Sequence, residues 1–249
     1  MLTDAPLKID SHCHAGSFTK YFSGNHPPEK LVADFDAAGV EAGVIAILDG
    51  TNMSGANDTA LAACEAHPGR LFGYIYLNPN DVQAAIVEFE SRRQNPLFKG
   101  VKLHPMNDVF YPFAKAFFPL YEKIEASGLP VLWHSGTTPY SNPLQIGYVA
   151  HKFPGMPCIL GHFGLSDLTW ECFPAADLAP NIYVDTTANP IIGVMNDWIA
   201  EFGPERMLWG SDFPFYSVGY EAQKLPHLGR SDAERALIGG DNARRLFGL

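Results

Sequence analysis

The sequence predicts a closed (β/α)8 barrel of the TIM type, and three observations lead there. Eight short runs rich in apolar and β-branched residues recur along the chain, with helical spacing between them. The length, 249 residues, is about what one such barrel needs. Five of the nine histidines fall at the last residues of these runs or just past them, the end where a barrel gathers its chemistry.

The runs are residues 8–12, 42–48, 71–76, 100–104, 131–134, 158–162, 182–185 and 207–210. After the first, residues 29–38 place Leu31, Val32, Phe35 and Ala38 on one side of a helix. Residues 82–92 follow Asp81, whose carboxylate suits an N-cap. Ahead of the fifth run, Pro119 fits the first turn of a helix and Gly128 its C-terminal stop. Near the end of the chain, Ser231 with Glu234 three residues on forms a capping box. Strict alternation of strand and helix implies a parallel sheet, and eight such units imply closure, with an open doubly wound sheet as the alternative. No Gly, Ser or Pro linker divides the chain, so residues 1–249 read as one barrel domain.

Composition narrows the function. With 47% apolar and 18% charged residues the chain can bury a large core. A net charge of −10 without any long basic run excludes nucleic acid as a partner. No stretch approaches the ~18 apolar residues of a membrane span, and residues 1–9 lack the basic-then-apolar order of a signal peptide, so the expected compartment is the cytoplasm, away from membranes. The four cysteines, Cys13, Cys64, Cys158 and Cys172, form no Cys-x-x-Cys and read as free thiols in apolar surroundings.

The sharpest local pattern is Asp10-Ser11-His12-Cys13-His14. On a strand, alternate side chains share a face, so His12 and His14 can grip one ion while Cys13 points into the packing behind. Alone, such a pair reads first as polar loop residues, but it has company. The fifth run ends Leu132-Trp133-His134-Ser135-Gly136, the sixth Leu160-Gly161-His162-Phe163-Gly164, and the eighth leads into Trp209-Gly210-Ser211-Asp212-Phe213-Pro214. Three histidines and one aspartate, His12, His14, His134 and Asp212, suit zinc or a similar borderline ion and leave His162 to handle protons.

With Gly100-Val101-Lys102-Leu103-His104-Pro105 and the closing Asp241-Asn242-Ala243-Arg244-Arg245-Leu246-Phe247, these motifs match in order and position across the chain. The sequence resembles the amidohydrolase-related group of the amidohydrolase superfamily, which includes aminocarboxymuconate-semialdehyde decarboxylase and several lactonases. The resemblance implies that His12, His14, His134 and Asp212 ligate one divalent ion, zinc first with manganese as an alternative. It also implies that His162 orients or deprotonates an attacking water and that Asp212 holds that water as well as the metal. In other branches a strand-four lysine becomes a carbamate bridging two metals, which leaves a second ion open here through Lys102. Otherwise Lys102 is an interior cation balancing Asp10 or Asp212, or a grip on a substrate carboxylate. His104 polarises a substrate carbonyl or accepts a hydrogen bond from a ligand.

Aromatics after the first run (Phe18, Tyr21, Phe22), the fourth (Phe110, Tyr111) and the eighth (Phe213, Phe215, Tyr216) suit the wall of a pocket for a small organic acid, ring or lactone, or equally a homo-oligomer interface. His26, His67, His151 and His227 receive no role. The expected reaction is metal-assisted hydrolysis of a small amide, lactone or ester. The alternative is nonoxidative decarboxylation of a small unsaturated or aromatic acid at the same site, set second because the chain looks short beside such decarboxylases. A third reading keeps the metal as structure in a non-catalytic binding protein.

Overall fold

The computed structural model describes residues 9–17, 24–48, 52–229 and 231–249. Eight strands, β1 (Ile9–His14), β2 (Ala42–Ala46), β3 (Leu71–Tyr76), β4 (Phe98–Leu103), β5 (Val131–His134), β6 (Cys158–Gly161), β7 (Ile182–Asp185) and β8 (Met207–Leu208), pair in that order. Every pair is parallel. Between successive strands lie α1 (Pro28–Ala38), α2 (Met53–Ala66), α3 (Val82–Arg92), α4 (Phe118–Ser127), α5 (Pro143–Lys152), α6 (Cys172–Leu178) and α7 (Ile192–Phe202). A two-residue antiparallel pair, Gly16–Ser17 with Asn25–His26, follows β1.

The local signals act as their chemistry requires. Asp81 caps α3 by accepting from the Ala84 amide at 3.0 Å. Pro119 lies in the first turn of α4, and Gly128 ends that helix at φ 72°. Ser231 and Glu234 close a reciprocal capping box. α1 turns Leu31 and Phe35 into the core, with Val32 and Ala38 packed against it.

Strand ends differ from expectation by a few residues, and the predicted start at Lys8 lies outside the described residues. β1 runs on to His14, β2 stops at Ala46 and β4 begins at Phe98. β6 stops at Gly161 because His162 takes the left-handed conformation, φ 64°. β8 is two residues rather than four because the Trp209 amide leaves the ladder to donate to the Ile238 carbonyl, 2.9 Å away in the C-terminal helical segment.

Closure is made by a seam between the first and last strands. The Ser11 amide donates to the Trp209 carbonyl (3.1 Å), Asp212 to His12 (2.7 Å) and His14 to Phe213 (2.7 Å). The buried Asp10 carboxylate stitches this seam: its Oδ1 accepts from the amides of His12 (3.1 Å) and Ser211 (3.0 Å). Burial pushes its carboxyl up to about 7, so its hydrogen-bonding oxygen matters more than its charge.

The strand period of two divides the core. Ile45, Val101, Leu103, Val131, Trp133, Leu160 and Val184 pack outward against Leu31, Phe35, Phe89, Leu120 and Trp198 of the helices. Ile9, Val44, Tyr74, Leu132, Ile159 and Leu208 fill the barrel interior, with Ala243 and Phe247 of the last helix packed against them. This interior layer puts the next inward positions, at the strand ends, in one polar layer. All four cysteines are buried free thiols.

Removing the Asp10 acceptor strands two buried amides, each worth about 1–3 kcal/mol. Asp10→Ala is therefore expected to lower the unfolding free energy by on the order of 2–5 kcal/mol in chemical denaturation, and Asp10→Asn, which keeps Oδ1, by less than half of that. Equal stability of Asp10→Ala and the parent would show that the seam does not depend on this side chain.

Candidate metal centre

His12 and His14 leave β1 on the same face, their ring centroids 5.2 Å apart. Cys13 between them faces outward, its thiol 3.6 Å from the Val44 carbonyl. Across the seam, Asp212 sits at φ 54°, a turn that brings its carboxylate back over β1. Asp212 Oδ1 lies 3.3 Å from His14 Nε2 and 3.7 Å from His12 Nε2.

Hydrogen positions follow from the partners. His14 Nδ1 is 2.8 Å from the Ala46 carbonyl, and His12 Nδ1 is 2.8 Å from Asp185 Oδ2. Both partners only accept, so both Nδ1 atoms carry the hydrogen, and in the neutral ring each Nε2 carries the lone pair. Two lone pairs and a carboxylate oxygen thus converge as acceptors, their atoms all within 4.8 Å of one another, and a shared cation reconciles them. The structure already draws one in: the Lys102 ammonium is 3.2 Å from His12 Nε2. Burial, reinforced by Lys102 and the neighbouring histidines, drives His12 well below the usual histidine range and keeps it in the neutral form a metal ligand needs. The donor set fits a divalent ion.

A second group, His12, His162 and Asp185, is just as compact. Its contacts pair donors with acceptors, so it reads as a satisfied hydrogen-bond network. His134 stands outside both groups: its Nδ1 is 3.0 Å from His162 Nε2, its Nε2 is 2.9 Å from Thr137 Oγ1, and its ring stacks on His104 at 4.0 Å. Burial pushes His134 down to about 3. His162, also driven well below its usual range by burial, lies with Nδ1 3.9 Å from Asp212 Oδ2.

Lys102 is buried, and its ammonium is pushed down to about 8 by burial against the pull of Asp212, Asp185 and Asp108. Asp10 is engaged in the seam instead. His104 accepts the Asn107 amide on Nδ1 at 3.1 Å, which puts its own hydrogen on Nε2. That makes Nε2 a donor and removes the expected acceptor role at this atom.

These groups open into a cavity of ≈ 400 Å³ that reaches His14, Lys102, His104, His134, His162 and Asp212. Its apolar wall is Leu48, Met106, Leu165, Ala188, Phe215 and Tyr216. Of the expected aromatic wall, Phe215 and Tyr216 take part, Phe110 and Phe213 are buried in the core, and Tyr111 is an exposed residue outside the lining. Phe18, Tyr21 and Phe22 lie outside the described residues. His151 and His227 are exposed, away from the centre. Sequence reasoning missed Asp185 and Thr187. Asp185 was visible as the polar end of the seventh run, but no histidine marked it.

The amidohydrolase family model matches residues 9–249. The chain is 23% identical to gamma-resorcylate decarboxylase of Polaromonas sp. over 280 aligned positions, covering 90% of this chain and 84% of that one. A 5-carboxyvanillate decarboxylase of Novosphingobium aromaticivorans, solved with manganese and 4-hydroxy-3-methoxy-5-nitrobenzoic acid, superposes with TM-score 0.80 at 16% identity, covering 98% of this chain and 96% of that one. A dihydroxybenzoic acid decarboxylase of Polaromonas sp., solved with manganese and 2-nitroresorcinol, gives 0.75 at 19%, covering 98% and 97%. Among the described residues, no helix is long and apolar enough to cross a membrane.

The convergent acceptors set an expectation for metal analysis. The purified protein carries about one divalent ion per chain, and the double variant His12→Ala/His14→Ala carries none. Lys102→Met leaves the count at one; loss of one of two ions on that change would instead mark a bridging carbamate. Full occupancy in the double variant would contradict the site.

Proposed function

The chain belongs to the amidohydrolase family, and from that membership we propose that it is a metal-dependent nonoxidative decarboxylase of a small hydroxylated aromatic acid. In that reaction the bond between ring and carboxylate breaks, its electron pair stays on the ring carbon, a proton takes the vacated position and carbon dioxide leaves. The observation that carries the proposal is the convergence of Nε2 lone pairs and the Asp212 carboxylate on a cavity that is cationic at its base, through Lys102, and apolar along its wall. A flat ring with one anionic edge matches both halves. The names of the relatives support decarboxylation over the hydrolysis first expected, and the chain covers most of the Polaromonas relative's length, so shortness no longer favours hydrolysis.

His12, His14 and Asp212 would hold the ion, with His134 completing the set by giving up its 2.9 Å contact to Thr137 Oγ1. Bound there, a divalent ion supplies a Lewis acid to the carboxylate and an adjacent hydroxyl. Oxygen-rich substrates of this kind suit manganese, which two solved relatives hold, better than zinc. The Lys102 ammonium sets a second positive charge beside the anionic edge, and His104 Nε2–H donates to a ring oxygen. Apolar Leu165, Phe215 and Tyr216 hold the ring plane and exclude water. Asp212 faces the cavity from beside the ion, so an oxygen of its carboxylate is placed to pass a proton to the ring carbon. His162 borders the same cavity from the β6 side, its Nδ1 3.9 Å from Asp212 Oδ2.

With manganese added, the protein is expected to release carbon dioxide from gamma-resorcylate or a related hydroxybenzoate and to leave the phenol. Asp212→Asn, at saturating metal, loses on the order of 10²-fold or more in rate. Acid release from lactones without carbon dioxide would restore the hydrolytic reading, and an unimpaired Asp212→Asn would remove Asp212 from the reaction.

A further inference from the structure

Behind the centre, at and just past the end of β7, Asp185 and Thr187 are wholly buried and between them touch His12 and His162. An ionised carboxylate only accepts. Asp185 Oδ1 takes the amides of His162 (2.8 Å) and Thr187 (3.0 Å) and the Thr187 hydroxyl (2.6 Å), while Oδ2 takes His12 Nδ1–H (2.8 Å). A hydroxyl has one hydrogen, and this one is committed to Asp185. Toward His162 Nδ1, 2.9 Å away, and His12 Nδ1, 3.3 Å away, the Thr187 oxygen is therefore an acceptor. His162 must carry its hydrogen on Nδ1 and its lone pair on Nε2. That lone pair faces His134 Nδ1 at 3.0 Å, which makes His134 the donor and puts the His134 lone pair on Nε2.

We propose that Asp185 and Thr187 are positioning residues that fix three tautomers in series. His12 and His134 then both carry Nε2 lone pairs, that of His134 facing the Thr137 hydroxyl at 2.9 Å and reaching the ion by exchanging that partner, and His162 offers Nε2 as an acceptor rather than as an N–H. The inference rests on His12 and His134 being ligands, as proposed above, and not on which reaction the centre performs. The chain holds the pair in place from two other sides. Lys224 Nζ, paired with Glu221 at 2.6 Å, donates to the Thr186 carbonyl at 3.0 Å between them. A Cβ at Gly210 would meet Thr187 Cγ2 at 2.8 Å and His12 Cβ at 3.0 Å, so the approach of these two side chains requires the glycine. With its hydrogen on Nδ1, His162 has no N–H to offer from Nε2.

The test is histidine-ring ¹⁵N NMR on the folded protein, metal-free and loaded with diamagnetic Zn²⁺. The wild-type protein is expected to show His162 as the Nδ1–H tautomer in both forms. Thr187→Val, of the same shape without the hydroxyl, shifts His162 toward Nε2–H, and Thr187→Ser restores the wild-type pattern. Asp185→Asn weakens Zn²⁺ binding by about 10–100-fold, the usual effect of losing a partner behind a ligand histidine. An Nε2–H tautomer of His162 in the wild-type protein, which requires no variant to fold, or an unchanged His162 spectrum in Thr187→Val, would overturn the proposal. Assigned tautomers together with no carbon dioxide release would instead count against the reaction alone.

Discussion

In the seam that closes the barrel, the Asp212 amide donates to the His12 carbonyl at 2.7 Å and the His14 amide donates to the Phe213 carbonyl at the same distance. These two bonds join residues about 200 positions apart and hold Asp212 against the His-x-His pair. Asp10 lies beneath, satisfying amides on both sides of the join. Because β8 is only two residues long, the chain beyond it is positioned by the seam rather than by the β7 ladder. Asp212 can then adopt a left-handed φ of 54° that aims its carboxylate inward. Without closure the same residues would be unrelated strand ends.

Closure also creates an electrostatic problem that the centre resolves. Asp185, Asp212, Lys102 and four histidines are all buried at one end of the barrel, where unpaired charge is expensive. Burial drives His12, His104, His134 and His162 to their neutral forms, and Lys102 adds to this in each case. His12 and His14, whose Nδ1 atoms face the Asp185 carboxylate and the Ala46 carbonyl, turn their Nε2 atoms inward. The site's attraction for a cation is thus a consequence of how the second nitrogen of each ligand is occupied, as much as of the ligands themselves.

Much of this was legible in the sequence because it depends on period and position. The alternation of strand and helix, the Asp81 and Ser231 caps and the face shared by His12 and His14 are local properties, and the structure reproduces them. Strand ends were misjudged where a tertiary partner took over the backbone, as Ile238 does for the Trp209 amide. Asp185 and Thr187 escaped notice because their role lies in contacts across 173 and 175 positions, which no local pattern encodes. The aromatic wall was half right for a similar reason: Phe213 and Phe215 are two apart, yet the turn beyond Asp212 sends one to the core and the other to the cavity. The choice between hydrolysis and decarboxylation depends on cavity shape and proton placement, which the strand-end motifs share between both reactions.

Anomalous diffraction at the manganese edge from a crystal soaked in Mn²⁺ locates the cation directly. One ion is expected about 2 Å from His12 Nε2, His14 Nε2 and an Asp212 oxygen, with the Lys102 ammonium displaced from His12. An ion on the opposite side of His12, among Nδ1, Asp185 and His162, or no ordered ion at the seam, would contradict the centre on which the proposed function depends.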